Sequence, residues 1–484
     1  MRPDRYDRPV AKDLPRDWIC RAGLTRRAHL VGIAGAGMRS LARVLLGWGW
    51  KLSGSDLDCS SLGFLKRRRV RVFEGHAPGN LHDHADVLIA SDAVPAGNPE
   101  RRRAAELGIP VLSYFQALGR ILSTRRGAAI AGTHGKSTAA AMLAEILTAA
   151  GHDPAVIYGA SPLGQECGGR PGKGSLTVVE ACEYRANFLH LHPRHAAILG
   201  IEPDHFDFYR SPGQLEKAFR RFAERIPTDG LLVARQECPV TQRVIEGLTC
   251  RVVTFGWTRS AHWSARNLRH RRGRYSFSIH ARRKHFCDVS LQIPGQHNVL
   301  NALAAAALAR ESSFLDGGQI AFGLGQFAGL RRRLEVTGTW RGATLIDDYA
   351  HHPTEVAAGL ETIRQMHPGR RLWCVFQPHQ ASRTAHLLDE LAASLQNADK
   401  VIVAEVYRAR EPHPKPGEVT ARDLARKVRS GGTEVSADGD LETIVQRLES
   451  QLRPGDVMVT MGAGDIRMVC DGLLERAGND RAAG

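Results

Sequence analysis

The run Ala128-Ala-Ile-Ala-Gly132-Thr-His-Gly135-Lys136-Ser137-Thr138 constrains this chain more than any other segment. An apolar strand, Ala128–Ala131, enters a glycine turn, and an Ala/Leu-rich helix over Thr138–Ala150 leaves it. Strand and helix joined so tightly belong to a parallel sheet wrapped by helices. The turn also carries chemistry. Glycines let backbone N–H groups curl round a phosphate, and the helix N-terminus adds positive potential. Lys136 can reach the β- and γ-phosphates of a nucleotide, and the Ser137 hydroxyl can ligate Mg²⁺. Gly132, Thr133, His134, Gly135, Lys136, Ser137 and Thr138 are therefore the candidate ATP loop. It is shorter than the commonest phosphate loop, because Ile130 stands where the first glycine would be.

The strand–helix alternation recurs on both sides. Upstream, a strand at His29–Ile33, a glycine turn and a helix at Met38–Leu46 precede strands at Val87–Ala90 and Val111–Leu112. The second unit begins near Arg126 and adds strands at Leu176–Glu180 and Ala196–Ile201. Residues 251–293 alternate apolar and polar like an antiparallel meander, and a helix at Val299–Arg310 closes the unit. The third runs from about Gly329, with strands Ala343–Asp347, Leu372–Gln377, Val401–Val406 and Val457–Met461. Helices are expected at 353–366, 382–396, 420–429 and 440–452. At about 150 residues per domain, 484 residues allow two to four domains. The expectation is α/β in three domains, at 28–126, 127–327 and 328–484, after a loose polar arm over 1–27.

Charge and cysteine usage narrow the function classes. The net charge is +16, and 56 of the 66 basic residues are Arg. The densest basic stretch, Arg266–Lys284, holds eight Arg and Lys but lacks the interleaved aromatics of a single-strand binder. A solvated Arg-rich surface fits better than nucleic acid. No run of about 18 apolar residues is present, so no membrane span is expected. The first residues are charged and lack the apolar core of a secretory signal. Nine scattered cysteines without a Cys-x-x-Cys fit reduced thiols, and hence the cytoplasm, better than disulfides or zinc.

A second glycine cluster, Gly32-Ile-Ala-Gly35-Ala-Gly37-Met38-Arg-Ser40, also follows a strand and opens a helix. Ser55 and Asp56 lie about twenty residues on, as in a dinucleotide fingerprint, although Ser40 replaces its third glycine. This pattern alone does not separate NAD from a UDP-sugar, since both offer a pyrophosphate to the same helix end. An NAD-dependent dehydrogenase would leave the 132–138 loop unexplained. A nucleic-acid-binding ATPase would need stimulation by DNA or RNA.

Taken in order, the motifs resemble one family. They are Gly132-Thr-His-Gly-Lys-Ser-Thr138, Glu180-Ala-Cys-Glu183-Tyr-Arg, Ile201-Glu-Pro-Asp204-His205 and Gly295-Gln-His-Asn298-Val-Leu-Asn301. Arg332-Arg333, Asp347-Asp-Tyr349-Ala-His351-His-Pro353 and Phe376-Gln-Pro-His379-Gln-Ala-Ser-Arg383-Thr follow. Order and spacing are similar to those of the Mur ligases over about residues 28–470. The resemblance implies a first domain that holds a UDP-sugar (Gly35, Gly37, Met38, Ser55 and Asp56), a second that binds ATP, and a Rossmann-like third that closes over an amino acid. The branch with the most similar motifs adds L-alanine to the lactyl carboxylate of UDP-N-acetylmuramate, as a monomer or homodimer. A branch that recycles a murein tripeptide onto the same sugar is the second candidate.

The resemblance also implies roles. Ser137 and Glu180 would ligate one Mg²⁺ and His205 a second, although imidazole is an unusual Mg²⁺ ligand. Asn298 and Asn301 share one helix face and can address adenine, although Asn298 also suits an N-cap. Asp347 and Asp348 end a strand at a sheet's C-terminal edge, where one can meet the ribose or orient a base, and Arg332 and Arg333 match nucleotide-side positions. Tyr349, His351 and Arg383 match positions that address the amino acid and the sugar's carboxylate, with Arg383 a natural carboxylate clamp. Departures from the family pattern fall at Arg39, Ser40, Gly200, Gln380 and Arg410. No carbamoylatable lysine is evident after His205, Lys217 being the only candidate, and the most similar branch usually lacks one.

Overall fold

The computed structural model describes residues 26–482, except 410, 412, 414, 415 and 438. Arg410 and nearly all of the arm expected over 1–27 thus lie outside the described residues. Three sheets follow one another along the chain.

The first comprises β1 (Arg27–Val31), β2 (Lys51–Asp56), β3 (Arg71–Glu74), β4 (Val87–Ala90) and β5 (Val111–Ser113). Its order is β3-β2-β1-β4-β5, all parallel. The second comprises β6 (Arg126–Ala131), β7 (Ala155–Ile157), β8 (Leu176–Glu180), β9 (His195–Ile198), β10 (Leu231–Arg235), β11 (Arg251–Gly256), β12 (Trp263–Arg271), β13 (Arg274–Ala281) and β14 (Lys284–Pro294). Its order is β14-β13-β12-β11-β10-β9-β6-β8-β7. The third comprises β15 (Glu335–Trp340), β16 (Ala343–Asp348), β17 (Leu372–Phe376), β18 (Lys400–Val403), β19 (Glu434–Ala437) and β20 (Val457–Met461), in the order β15-β16-β20-β17-β18-β19. Only β15 runs antiparallel there.

In the first and second sheets the glycine loops leave strands at which the order reverses, β1 between β2 and β4, and β6 between β8 and β9. Such switch points open a crevice at the C-terminal strand ends. Small residues pull the central layer tight. Ala139, Ala140 and Met142 of helix Lys136–Ala149 share one core with Ala302–Ala307 of helix Gln296–Ser313. A Cβ on Gly323 would lie 2.5 Å from the Ile146 Cα, so helix Gly317–Gln326 meets the phosphate-loop helix at backbone distance.

Some expectations need correction. The first strand ends at Val31, because Gly32 takes φ +78° and turns the chain before Ile33. The meander is narrower than 251–293: β11 pairs parallel with both β10 and β12, and only β12–β14 are antiparallel. Period-2 alternation reports a half-buried strand but not the direction of its neighbour. The helix expected at 382–396 is two, Ala381–His386 and Leu388–Leu395, broken at Leu387.

Candidate active site

The phosphate loop is built by two glycines and three cross-links. Gly132 and Gly135 take φ of +135° and +77°, and a Cβ on Gly135 would lie 2.3 Å from the Asn301 Oδ1. Glycine is therefore required there by both backbone angle and neighbour. The Thr133 N–H donates to the Gly200 carbonyl at 3.0 Å. Its hydroxyl donates to the Glu202 carbonyl at 3.1 Å and accepts the Glu202 N–H at 2.9 Å. The loop is thus stitched to the segment that follows β9.

Lys136 Nζ donates to the carbonyls of Gly132 and Thr133, at 2.7 and 3.1 Å, and to Glu183 Oε1 at 3.1 Å. Burial favours loss of the Lys136 proton, but the Glu183 carboxylate outweighs it and holds the ammonium form well above the usual lysine range. Glu183 is buried, and Lys136 keeps its carboxyl below the usual range against its own desolvation. Its other partner is His205 Nε2, at 3.2 Å. The His205 Nδ1 is buried with no hydrogen-bond partner, and the residue sits at φ +57°. Ser137 Oγ donates to Glu180 Oε2 at 2.8 Å, and the Gly159 N–H donates to the same oxygen at 3.0 Å. Hydroxyl and carboxylate side by side at a phosphate loop form a donor set that fits Mg²⁺. Ser137 and Glu180 are thus brought together, while His205 meets Glu183.

A cavity of about 550 Å³ opens between the central and C-terminal domains, directly over this loop. His134, Gly135, Thr138, Asn298, Asn301, Arg333 and Asp348 line it, with Phe255, Ile293, Leu300, Phe327 and Leu330 as apolar walls. Apolar walls with a few convergent polar groups suit a nucleoside. Asn301 Nδ2 donates to Asn298 Oδ1 at 3.0 Å, and Asn298 Nδ2 donates to the Pro294 carbonyl at 2.6 Å. Asn298 lies inside the helix, and Gly295 occupies the N-cap, so the capping alternative does not hold. His297 also lines the cavity, and burial lowers its pKa to about 4, so its ring is neutral.

The C-terminal domain supplies the opposite wall. Asp347 and Asp348 end β16 but face different ways. Asp347 is fully buried and accepts from Thr460 Oγ1 at 2.8 Å and Arg332 Nε at 3.2 Å. Asp348 faces the cavity, accepts the Ala350 N–H at 3.1 Å, and is raised by burial to about 7. The guanidinium carbons of Arg332 and Arg333 lie 5.1 and 5.2 Å from the Tyr349 ring centroid. His351 donates through Nδ1 to the Tyr349 carbonyl at 2.9 Å, and burial lowers its pKa to about 4. Its ring is therefore neutral, with the Nε2 lone pair free to accept. Arg383 does clamp a carboxylate, that of Asp204 in the central domain, at 2.7 Å from Nη2.

Residues 27–126, 130–309 and 332–464 fall in the first, central and C-terminal domains respectively. They match, in turn, the family models described as Mur ligase family, catalytic domain; Mur ligase middle domain; and Mur ligase, glutamate ligase domain. The chain belongs to the Mur ligase family. The UDP-N-acetylmuramate–L-alanine ligase of Clostridium novyi is 36% identical over 93% of this chain and 97% of its own. The enzyme of that name from Acidithiobacillus ferrooxidans is 39% identical over 93% and 96%. Among solved structures, the UDP-N-acetylmuramate–alanine ligase of Thermotoga maritima superposes with a TM-score of 0.79 at 26% identity, covering 94% of this chain and 99% of that one.

In this Mur ligase the first glycine cluster is braced from within. Asp56 accepts the Ala34 N–H of the loop at 2.7 Å and the Leu57 N–H at 2.8 Å. Ser55 Oγ donates to buried Glu100 at 2.5 Å, and Met38 packs in the core. Gly35 caps helix Ala36–Gly47, and a Cβ on Gly37 would meet the Tyr114 ring at 2.9 Å. Gly35 and Gly37 are thus the members of the set that shape the loop surface. The departures also find places. Ser40 Oγ donates to the Tyr158 carbonyl of the central domain at 2.8 Å, and Arg39 Nε is buried without a partner. Gly200 takes φ +146° and Gln380 φ +67°. Lys217 is exposed on helix Pro212–Ala223.

The motifs concealed several Mur ligase residues that the fold puts to work. Glu183 and Asp204 lie inside quoted motifs, yet spacing does not reveal that they neutralise Lys136 and Arg383. His134 Nδ1 meets Glu355 Oε1 at 3.1 Å, across 221 positions of sequence. An acid in the first turn of helix Pro353–Met366 reads as an ordinary macrodipole partner, so Glu355 carries no separate signal.

Proposed function

We propose that this protein forms the amide bond between L-alanine and the lactyl carboxylate of UDP-N-acetylmuramate, consuming ATP and releasing ADP and phosphate. The observation that carries this reading is the full-length likeness to ligases of that name, spanning all three sheets. The domain limits 28–126, 127–327 and 328–484, the cytoplasm as the place and Mg²⁺ as the ion belong to the same proposal.

Each residue set then has a task. A free carboxylate is a poor acylating agent because oxide is a poor leaving group. The lactyl carboxylate therefore takes the γ-phosphoryl group and becomes an acyl phosphate. Lys136 neutralises charge on the transferring group, already fixed as an ammonium by Glu183. Ser137 and Glu180 would hold Mg²⁺, which when bound would screen the phosphate oxygens. The unpartnered His205 Nδ1 is the ring atom left for a second ion. Asn298, Asn301, Arg333 and Asp348 border the nucleoside, while Arg332, held by Asp347 and the Gly462 carbonyl, supports that wall from behind. On the acceptor side, neutral His351 offers Nε2 to the amine of L-alanine, beside Tyr349, as that amine attacks and phosphate leaves. Arg383 acts through Asp204, holding the acceptor wall against the central domain. Gly35, Gly37, Met38, Ser55 and Asp56 form and support the pyrophosphate turn.

The test offers purified full chain UDP-N-acetylmuramate, ATP and Mg²⁺ and follows phosphate release with L-alanine, L-serine, glycine or a murein tripeptide in parallel. Release should need the sugar and be fastest with L-alanine. Preference for the tripeptide, or release that ignores the sugar, overturns the reading.

A further inference from the structure

His134, Glu202 and His352 converge at the junction of the central and C-terminal domains, and none of the three side chains contacts Ser137 or Glu180. One ligand atom from each lies within 4.8 Å of the others. His134 Nε2 is 3.3 Å and His352 Nδ1 is 3.8 Å from Glu202 Oε2. Bonds of about 2.0–2.1 Å to a tetrahedral Zn²⁺ place ligand atoms roughly 3.4 Å apart, so the three already approximate a tetrahedral face.

The outer contacts point the same way. His134 Nδ1 meets Glu355 Oε1 at 3.1 Å, which orients Nε2 inward. His352 Nε2 meets the Pro203 carbonyl at 3.3 Å, which orients Nδ1 inward. Thr354 Oγ1 donates to Glu202 Oε2 at 2.6 Å and leaves that oxygen a second lone pair. A ring nitrogen turned outward to a carboxylate or carbonyl, with the other turned in, is the usual support of a metal-bound histidine. An ion would replace the Thr354 N–H contact to His352 Nδ1, 3.3 Å, and the His134 Nε2 hydrogen bond to Glu202 Oε2, also 3.3 Å, and would displace the proton that Glu355 and Glu202 hold on His134.

We propose that His134, Glu202 and His352 form a transition-metal site, of the Zn²⁺ class, with solvent as fourth ligand. Two imidazoles and one carboxylate favour Zn²⁺ or Co²⁺ over Mg²⁺, so the site is chemically distinct from the oxygen donors at the phosphate loop. Two ligands belong to the central domain and one to the C-terminal domain. Occupancy ties the domain carrying His351 and Arg383 to the loop carrying Lys136, and so restrains the cavity between them.

The test uses chelator-treated, dialysed full chain without nucleotide or sugar. Co²⁺ is titrated while the visible bands of tetrahedral Co²⁺ are followed, then displaced with Zn²⁺, with Mg²⁺ in large excess throughout. One equivalent should generate the bands. H352Q and E202Q, each shown by circular dichroism and thermal melting to be folded, should each weaken Co²⁺ binding at least tenfold. Absence of the bands in the wild type overturns the proposal. So do bands of equal affinity in both variants, or loss of the bands to Mg²⁺.

Discussion

Arg383, in the C-terminal domain, donates through Nε at 2.8 Å and Nη2 at 2.7 Å to one oxygen of Asp204 in the central domain, and both side chains are buried. The same oxygen accepts the His205 N–H at 2.6 Å. Burial alone would raise the Asp204 carboxyl, but His205 and Arg383 hold it far below the usual carboxylate range. One ion pair thus links domain closure to the segment that presents His205 beside Glu183.

Truncating Arg383 to alanine strands Asp204 as a buried, uncompensated charge, which costs about 3–5 kcal/mol. The double variant Arg383→Ala/Asp204→Asn should recover part of that loss. Denaturant unfolding of the wild type, both single variants and the double variant measures the coupling, and a coupling of zero contradicts the pair's role. Ligation kcat/KM should also fall in Arg383→Ala, because the acceptor wall loses its anchor to the Asp204–His205 segment.

Lys136→Ala removes the cation proposed to neutralise the transferring phosphoryl group and leaves Glu183 with His205 alone. Phosphate release should drop by roughly 10²–10³-fold or more, the loss typical of deleting one preorganised electrostatic donor. A rate within threefold of wild type would move the phosphoryl site elsewhere.

Much of this architecture was legible because buried apolar runs announce themselves. Val87–Ala90, Leu176–Glu180 and Val457–Met461 coincide with the strands, and 353–366 with a helix. Lys51–Asp56 was not: its sequence, KLSGSD, is polar, and the strand exists because Gly54 lets β2 lie against β1, where a Cβ would fall 2.5 Å from the Leu30 carbonyl oxygen. Directly at the site, Lys136 and Ser137 could be read from local spacing, because a loop and its helix are one contiguous segment. The ion pairs that set protonation could not. Glu183 lies 47 positions from Lys136, and Asp204 lies 179 from Arg383, distances that only the packed sheets close.

Glu180→Gln keeps the shape of the Ser137 partner but removes its charge. The Mg²⁺ concentration for half-maximal rate should rise by tenfold or more, while UDP-N-acetylmuramate binding in the absence of ATP stays within a few-fold. A Mg²⁺ titration superimposable on wild type would transfer the role to Glu183.

Asp348 carries a pH signature of definite sign. Its carboxyl is raised by burial from 3.8 to about 7. Between those values the folded state holds a proton that the unfolded chain gives up, so its contribution to stability declines as pH rises through that window. Asp348→Asn cannot ionise. Thermal melting should therefore show the variant matching the wild type near pH 4 and exceeding it at pH 8, by on the order of a few kcal/mol. A constant difference across that range would contradict the assignment.

The most direct measurement follows an oxygen atom. UDP-N-acetylmuramate labelled with heavy oxygen in its lactyl carboxylate is incubated with the purified chain, ATP, Mg²⁺ and L-alanine, and mass spectrometry reads both products. Passage through an acyl phosphate places one labelled oxygen in the released phosphate and yields a UDP-sugar heavier by one alanine residue, minus one label. Unlabelled phosphate, or labelled phosphate without the alanine adduct, would contradict the ligase assignment.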